Sequence, residues 1–93
     1  MPRISIIVED TPNPQARMYV VSRPLSPEAR RSYVAPEQAR GDPLAEQLFA
    51  VPHVVGVMIL NDFCTITKAP RGQWRQITPE IKAVLTQAAN AAP

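Results

Sequence analysis

At 93 residues the chain is long enough for one domain with one core and too short for two lobes that close on a large substrate. A formal charge of +2 falls short of the dense basic stripe that neutralising many backbone phosphates requires. One cysteine excludes an internal disulfide and any CxxC metal or redox motif, and no run nears the roughly 20 apolar residues of a membrane-spanning helix. Eleven prolines, about twice the usual share, keep the elements short and exclude a long helix before Pro79. The opening MPRISIIVED lacks the basic-then-apolar pattern of a secretory signal, so a soluble cytoplasmic protein is expected.

Ile4, Ile6 and Val8 alternate with Ser5, Ile7 and Glu9 and predict a first strand ending at Glu9-Asp10. Thr11-Pro12-Asn13-Pro14 is a stiff connector, because each proline fixes its own φ and restricts the residue before it. A second strand follows, with Ala16, Met18 and Val20 on one face and Arg17, Tyr19 and Val21 on the other. Ser22 to Gly41 has no sustained period and predicts a loop, interrupted by a short edge strand at Ser32-Tyr33-Val34 and one helical turn at Pro36 to Ala39.

Asp42-Pro43 is a cap-plus-proline helix start, Leu44, Ala45, Leu48 and Phe49 supply its buried stripe, and Val51-Pro52 ends it. Val54 to Leu60 and Phe63 to Lys68 flank Asn61-Asp62, two residues that tolerate left-handed backbone, and together predict a hairpin. Phe63, Thr65 and Thr67 share one face of its second strand, and Cys64, Ile66 and Lys68 share the other. After a turn at Ala69 to Gly72, Thr78-Pro79 repeats the cap-plus-proline device, and Ile81, Val84, Leu85 and Ala88 face the core. The sum is a single α+β domain over residues 1–93, with a small, mainly antiparallel sheet in the order β-β-(β)-α-β-β-α and helices on one face.

Few residues carry chemistry. Cys64 is the one thiol and reads as a small core hydrophobe, since a single thiolate cannot complete a four-thiolate cluster site without a symmetric partner. His53 has no second ligand at metal-site spacing and reads as a loop residue. Glu9, Asp10 and Asp62 would converge if the first strand lay beside the hairpin, forming a weak oxygen-ligand cation site; as turn residues they need no such role. No metal site is expected, with Cys64, His53 and Asp10 as the only candidates. Asn13, held between two prolines, either ties its loop to neighbouring backbone or meets a partner. Trp74, amid Lys68, Arg71, Arg75 and Gln73, reads as an interface anchor or as a lid on the hairpin.

Glu9-Asp10-Thr11-Pro12-Asn13-Pro14, Pro43-Leu44-Ala45 with Leu48-Phe49, Gly56-Val57, Asp62-Phe63 with Thr65-Ile66-Thr67-Lys68, and Trp74 occur together in this order. In that combination the chain resembles the N-terminal domain of the Nfu/NifU-type scaffold proteins of iron–sulfur cluster assembly. It departs from them at Leu60, where a small turn residue is common, and at Cys64, where an aliphatic one is. In two-domain members a C-terminal domain holds the cluster on a CxxC pair, which these 93 residues lack.

The resemblance therefore implies a non-catalytic, stand-alone module acting in cluster assembly or delivery through protein–protein recognition. No cofactor is expected on the chain itself, and iron or a cluster would come through a partner. The implied partners are an iron–sulfur assembly protein, an apo-client or a CxxC-bearing scaffold domain on another chain. The candidate partner-binding residues are Thr11, Asn13, Asp62, Lys68, Arg71, Trp74 and Arg75. No nucleophile–base pair, glycine-rich phosphate loop or ligand cluster points to an enzyme. Two alternatives stand beside this reading: iron or cluster binding by the chain itself, through Cys64 across a dimer or through carboxylates, and, more weakly, nucleic-acid binding, motivated only by the basic pI and the basic excess after residue 50.

Overall fold

A computed structural model describes residues 4–23, 25 and 30–91. Two edges of the expected architecture lie outside them: parts of the loop after Ser22, and the extreme C-terminus. The elements are β1 (Ile6–Asp10), β2 (Ala16–Val21), β3 (Arg31–Tyr33), a 3-10 turn (Pro36–Ala39), α1 (Pro43–Phe49), β4 (Val54–Leu60), β5 (Phe63–Lys68) and α2 (Trp74–Ala91). The strands form one antiparallel sheet in the order β1-β2-β5-β4-β3, an α+β fold as expected. The β4–β5 hairpin supplies the two innermost neighbours of β2 and β3, which is why the longest apolar run of the sequence falls there.

The registers align the side chains in rows. Val8, Tyr19, Cys64 and Ile59 form one, and Asp10, Arg17, Ile66, Val57 and Tyr33 form the next. Both rows face the helices, whose Ala45, Leu48, Ile77, Ile81, Leu85 and Ala89 close the core. The opposite face carries Ile7, Val20, Phe63 and Leu60 in one row and Glu9, Met18, Thr65, Met58 and Ser32 in the other. At the start of β4 the pairing slips between Val54 and Gly56, leaving Val55 as an exposed bulge residue.

Asp42 anchors the edge. Its carboxylate accepts from Ala45 N at 3.3 Å, capping α1 as its position before Pro43 predicts. It also accepts from Arg31 Nη1 at 2.6 Å and from Tyr33 Oη at 2.7 Å, fastening β3 to α1. Asp42 thus adds side-chain bonds to a strand whose backbone pairs with β4 over only three residues.

Two expectations are corrected. The last helix begins at Trp74 rather than at Thr78-Pro79, so Pro79 lies inside it. Proline removes the amide that would have bonded the Arg75 carbonyl, but the earlier start buries Ile77 and lays Trp74 on the sheet, a gain larger than one hydrogen bond. At the hairpin turn, neither Asn61 nor Asp62 uses left-handed backbone; among the described non-glycine residues only His53 has positive φ, at 72°. The Asn61 and Asp62 carbonyls are instead committed to the amides of Leu25 and Val21, at 2.7 and 2.8 Å, which fixes the turn from outside.

Candidate recognition site

The connector between β1 and β2 is stiffened twice, by its prolines and by a closed set of hydrogen bonds. Thr11 Oγ1 accepts from the Asn13 amide at 3.1 Å and lies 2.9 Å from both the Asn13 and Ala16 carbonyls. Asn13 Oδ1 accepts from the Gln15 amide at 2.9 Å, an Asx turn, and the Ala16 amide donates to the Asn13 carbonyl at 2.9 Å. The Asn13 carboxamide oxygen is therefore used within the loop, while the residue itself remains exposed.

Trp74, the first residue of α2, ties this loop to the helix. Its indole N–H donates to the Pro14 carbonyl at 3.1 Å. Its ring lies 6.5 Å from that of Tyr19, tilted by 57°. The Arg17 guanidinium sits 5.0 Å from the indole centroid and the Lys68 ammonium 5.9 Å from it, both within cation–π range. A cleft of about 310 Å³ opens here, lined by Asp10, the Thr11–Pro14 loop, Arg17 and Trp74.

The two cations are held differently. Arg17 Nη2 meets Asp10 Oδ1 at 3.2 Å, on a carboxylate that is 84% exposed, and Nη1 reaches Thr78 Oγ1 at 3.4 Å. Among the described residues Arg17 Nε is buried with no partner. Lys68 is 8% exposed and donates to Gln15 Oε1 at 2.7 Å and to the Ala69 carbonyl at 3.4 Å; among the described residues no carboxylate pairs with it. Thr78 Oγ1 also bonds the Tyr19 hydroxyl at 2.8 Å. Burial raises the Tyr19 pKa, opposed in part by that hydrogen bond and by Arg17.

Of the sequence candidates, Thr11, Asn13 and Trp74 line the cleft and Lys68 lies behind it. Arg71 and Arg75 are exposed nearby in the chain, with Arg75 Nε donating to Gln73 Oε1 at 2.9 Å. Asp62 is not part of the site. It occupies the β4–β5 turn, four residues along β5 from the Ile66 that aligns with Arg17 and Asp10, roughly 13 Å at the usual rise per residue. The carboxylates Glu9, Asp10 and Asp62 therefore do not converge, because β2 and β5 run antiparallel and set the turn at the far end of the sheet. No group of three or more His, Cys, Asp or Glu able to hold a metal occurs among the described residues. Cys64 is completely buried, and burial pushes its thiol up to about 12. His53 is exposed, with its Cβ against Gly72.

Gln15, Arg17, Tyr19 and Thr78 are the members that sequence reading missed. The signal was the shared face of Arg17 and Tyr19, which puts a guanidinium on the apolar side of β2, where only a partner above the sheet can hold it.

The sequence model of the family described as "Scaffold protein Nfu/NifU N terminal" matches residues 6–92. This chain belongs to that family. The Nfu-type chain is 31% identical over 80 residues to NifU-like protein 4, mitochondrial, of Arabidopsis thaliana, covering 86% of this chain and 28% of that protein. It is 32% identical over 81 residues to the human NFU1 iron-sulfur cluster scaffold homolog, mitochondrial, covering 86% and 32% respectively. It thus spans about a third or less of the length of these curated relatives. The solution structure of a NifU-like protein from Saccharomyces cerevisiae superposes with a TM-score of 0.76 at 28% identity, over 90% of this chain and 76% of that one. A Staphylococcus aureus protein shares the fold, with a TM-score of 0.69 at 20% identity over 85% and 95% of the two chains.

Proposed function

We propose that this Nfu-type domain is a non-catalytic recognition module of iron–sulfur cluster assembly or delivery, which presents the Thr11–Pro14 loop and Trp74 to a scaffold, carrier or apo-client protein. The observation that carries this reading is the indole N–H to Pro14 carbonyl bond, which joins a loop already rigid in itself to the start of the longest helix. A surface fixed before binding loses little entropy on binding, and an aromatic flanked by cations is a common anchor. Membership of the scaffold family supplies the process, and the cluster itself would arrive on the partner, as cargo rather than as a resident group.

The test is capture of a CxxC-bearing scaffold domain supplied as a separate chain, or of an apo-client, by the parent and by Asn13→Ala and Trp74→Ala. Both variants are expected to weaken capture while circular dichroism reports a folded domain; undiminished capture by both would remove the surface from consideration. The competing assignment, a cluster on Cys64, is checked by anaerobic incubation with ferrous iron and sulfide and a count of iron retained per chain, parent against Cys64→Ala. The complete burial of Cys64 argues for equal, negligible retention.

A further inference from the structure

The cleft holds more positive charge than its neighbours neutralise. Two cations lie within 6 Å of the Trp74 ring, and among the described residues one carboxylate, that of exposed Asp10, pairs with Arg17 while none pairs with Lys68. Arg17 has five N–H donors in a planar fork, yet among the described residues only its two terminal nitrogens have partners, one of them at 3.4 Å. Lys68 has given up its hydration for an amide and a carbonyl oxygen, neither of them charged. Burying an ammonium without a counter-ion costs folding free energy, and a cation held this way keeps its full attraction for an anion, since little water screens it.

From this charge imbalance we infer that the cleft between the Thr11–Pro14 loop and Trp74 binds a carboxylate on an acidic segment of the partner protein. The inference deepens the recognition reading above and rests on it. The incoming carboxylate takes the Arg17 fork in place of Asp10, with Trp74 as the flat support that keeps the guanidinium presented, and Lys68 supplies attraction from behind. Arg pairs with planar carboxylates through two parallel N–H donors, a geometry that a spherical or tetrahedral anion matches less well than a glutamate or aspartate side chain. Exposed Arg71 and Arg75 add longer-range attraction for further acids along the same segment. Asp10 then acts as a built-in competitor: its pairing with Arg17 must break before the partner's carboxylate binds.

Trp74 is the only tryptophan, so its emission reports the site directly. The probes are a blocked hexaglutamate peptide, its hexaglutamine counterpart and inorganic phosphate, titrated at low and at physiological salt. Hexaglutamate is expected to shift Trp74 emission, more strongly at low salt, while hexaglutamine leaves it unchanged. Arg17→Met and Lys68→Met should each weaken hexaglutamate binding, Arg17→Met by about tenfold, the usual size for one charge-assisted pair. Asp10→Asn, a change at an exposed residue that leaves the core untouched, should strengthen it several-fold.

An equal response to hexaglutamine, tighter binding of phosphate than of hexaglutamate, or binding indifferent to both Arg17→Met and Asp10→Asn would each overturn the inference. Because peptide and partner are assayed separately, the two readings fail separately. Partner capture that needs Trp74 without any hexaglutamate response sinks only the carboxylate site. A hexaglutamate response without any partner capture sinks the recognition role.

Discussion

Replacing Trp74 by Phe removes one hydrogen bond and leaves most of an aromatic ring in place, so it isolates the tether between loop and helix. The lost bond is the indole N–H to the Pro14 carbonyl, 3.1 Å long and open to solvent. Water replaces part of it, so the expected cost is about 0.5–1 kcal/mol, or roughly 2–8 °C in Tm for a domain of this size. Trp74→Ala goes further and removes the packing on Tyr19 and the support under Arg17 and Lys68. Full burial would make that loss about 3–5 kcal/mol; Trp74 is half-buried, which brings it to about 2–3 kcal/mol. Urea denaturation followed by far-ultraviolet circular dichroism gives both values. Amide exchange adds the decisive detail. The Ala16 amide bonds the Asn13 carbonyl within the loop, so it should stay protected in Trp74→Phe while the loop as a whole loosens from α2. Two variants indistinguishable from the parent in stability would refute the claim that Trp74 joins loop to helix.

Other consequences can be checked on the same material. Lys68→Met takes a buried, carboxylate-free cation out of the fold and should leave stability unchanged or raise it by about 1 kcal/mol in urea titration, whereas a clear loss would mean its two neutral acceptors suffice to stabilise it. Asp42→Ala removes the α1 cap together with an acceptor of both Arg31 and Tyr33, and a loss of about 3 kcal/mol is expected in thermal unfolding. Gly72→Ala places a Cβ 2.7 Å from the His53 Cβ, so backbone must move, and about 1–3 kcal/mol should be lost unless His53 is also replaced by glycine, since every other residue keeps that Cβ. Cys64 holds its proton in the fold up to about 12 but releases it near 9.0 when unfolded. Rising pH therefore favours the unfolded chain from about 9 upward, by about 1.4 kcal/mol per pH unit until the folded thiol itself ionises. Cys64→Val should flatten that slope, and native Cys64 should resist thiol reagents at neutral pH.

Most elements, and which residues share a face, were legible in the chain alone. Alternation placed Cys64, Ile66 and Lys68 on one side of β5, Asp42-Pro43 marked the start of α1, and the prolines around Asn13 made the β1–β2 connector stiff, because these features depend on bonds and spacings a few residues long. Family resemblance was equally local, carried by short fragments in a fixed order. What the sequence could not fix was which residues meet across the sheet. Arg17 and Trp74 are 57 positions apart, and only the β2–β5 pairing and the early start of α2 lay one on the other. The same holds for the start of α2. Local signals favoured Thr78-Pro79, and the helix begins a turn earlier because burying Ile77 and seating Trp74 outweigh one backbone hydrogen bond lost at Pro79. Asp62 and Asp10 show the converse: both acids sit at strand ends, yet antiparallel topology sends them to opposite ends of the sheet. Charge in a chain is read residue by residue, but a site is made by the distances between charges, and those distances are set by the tertiary fold.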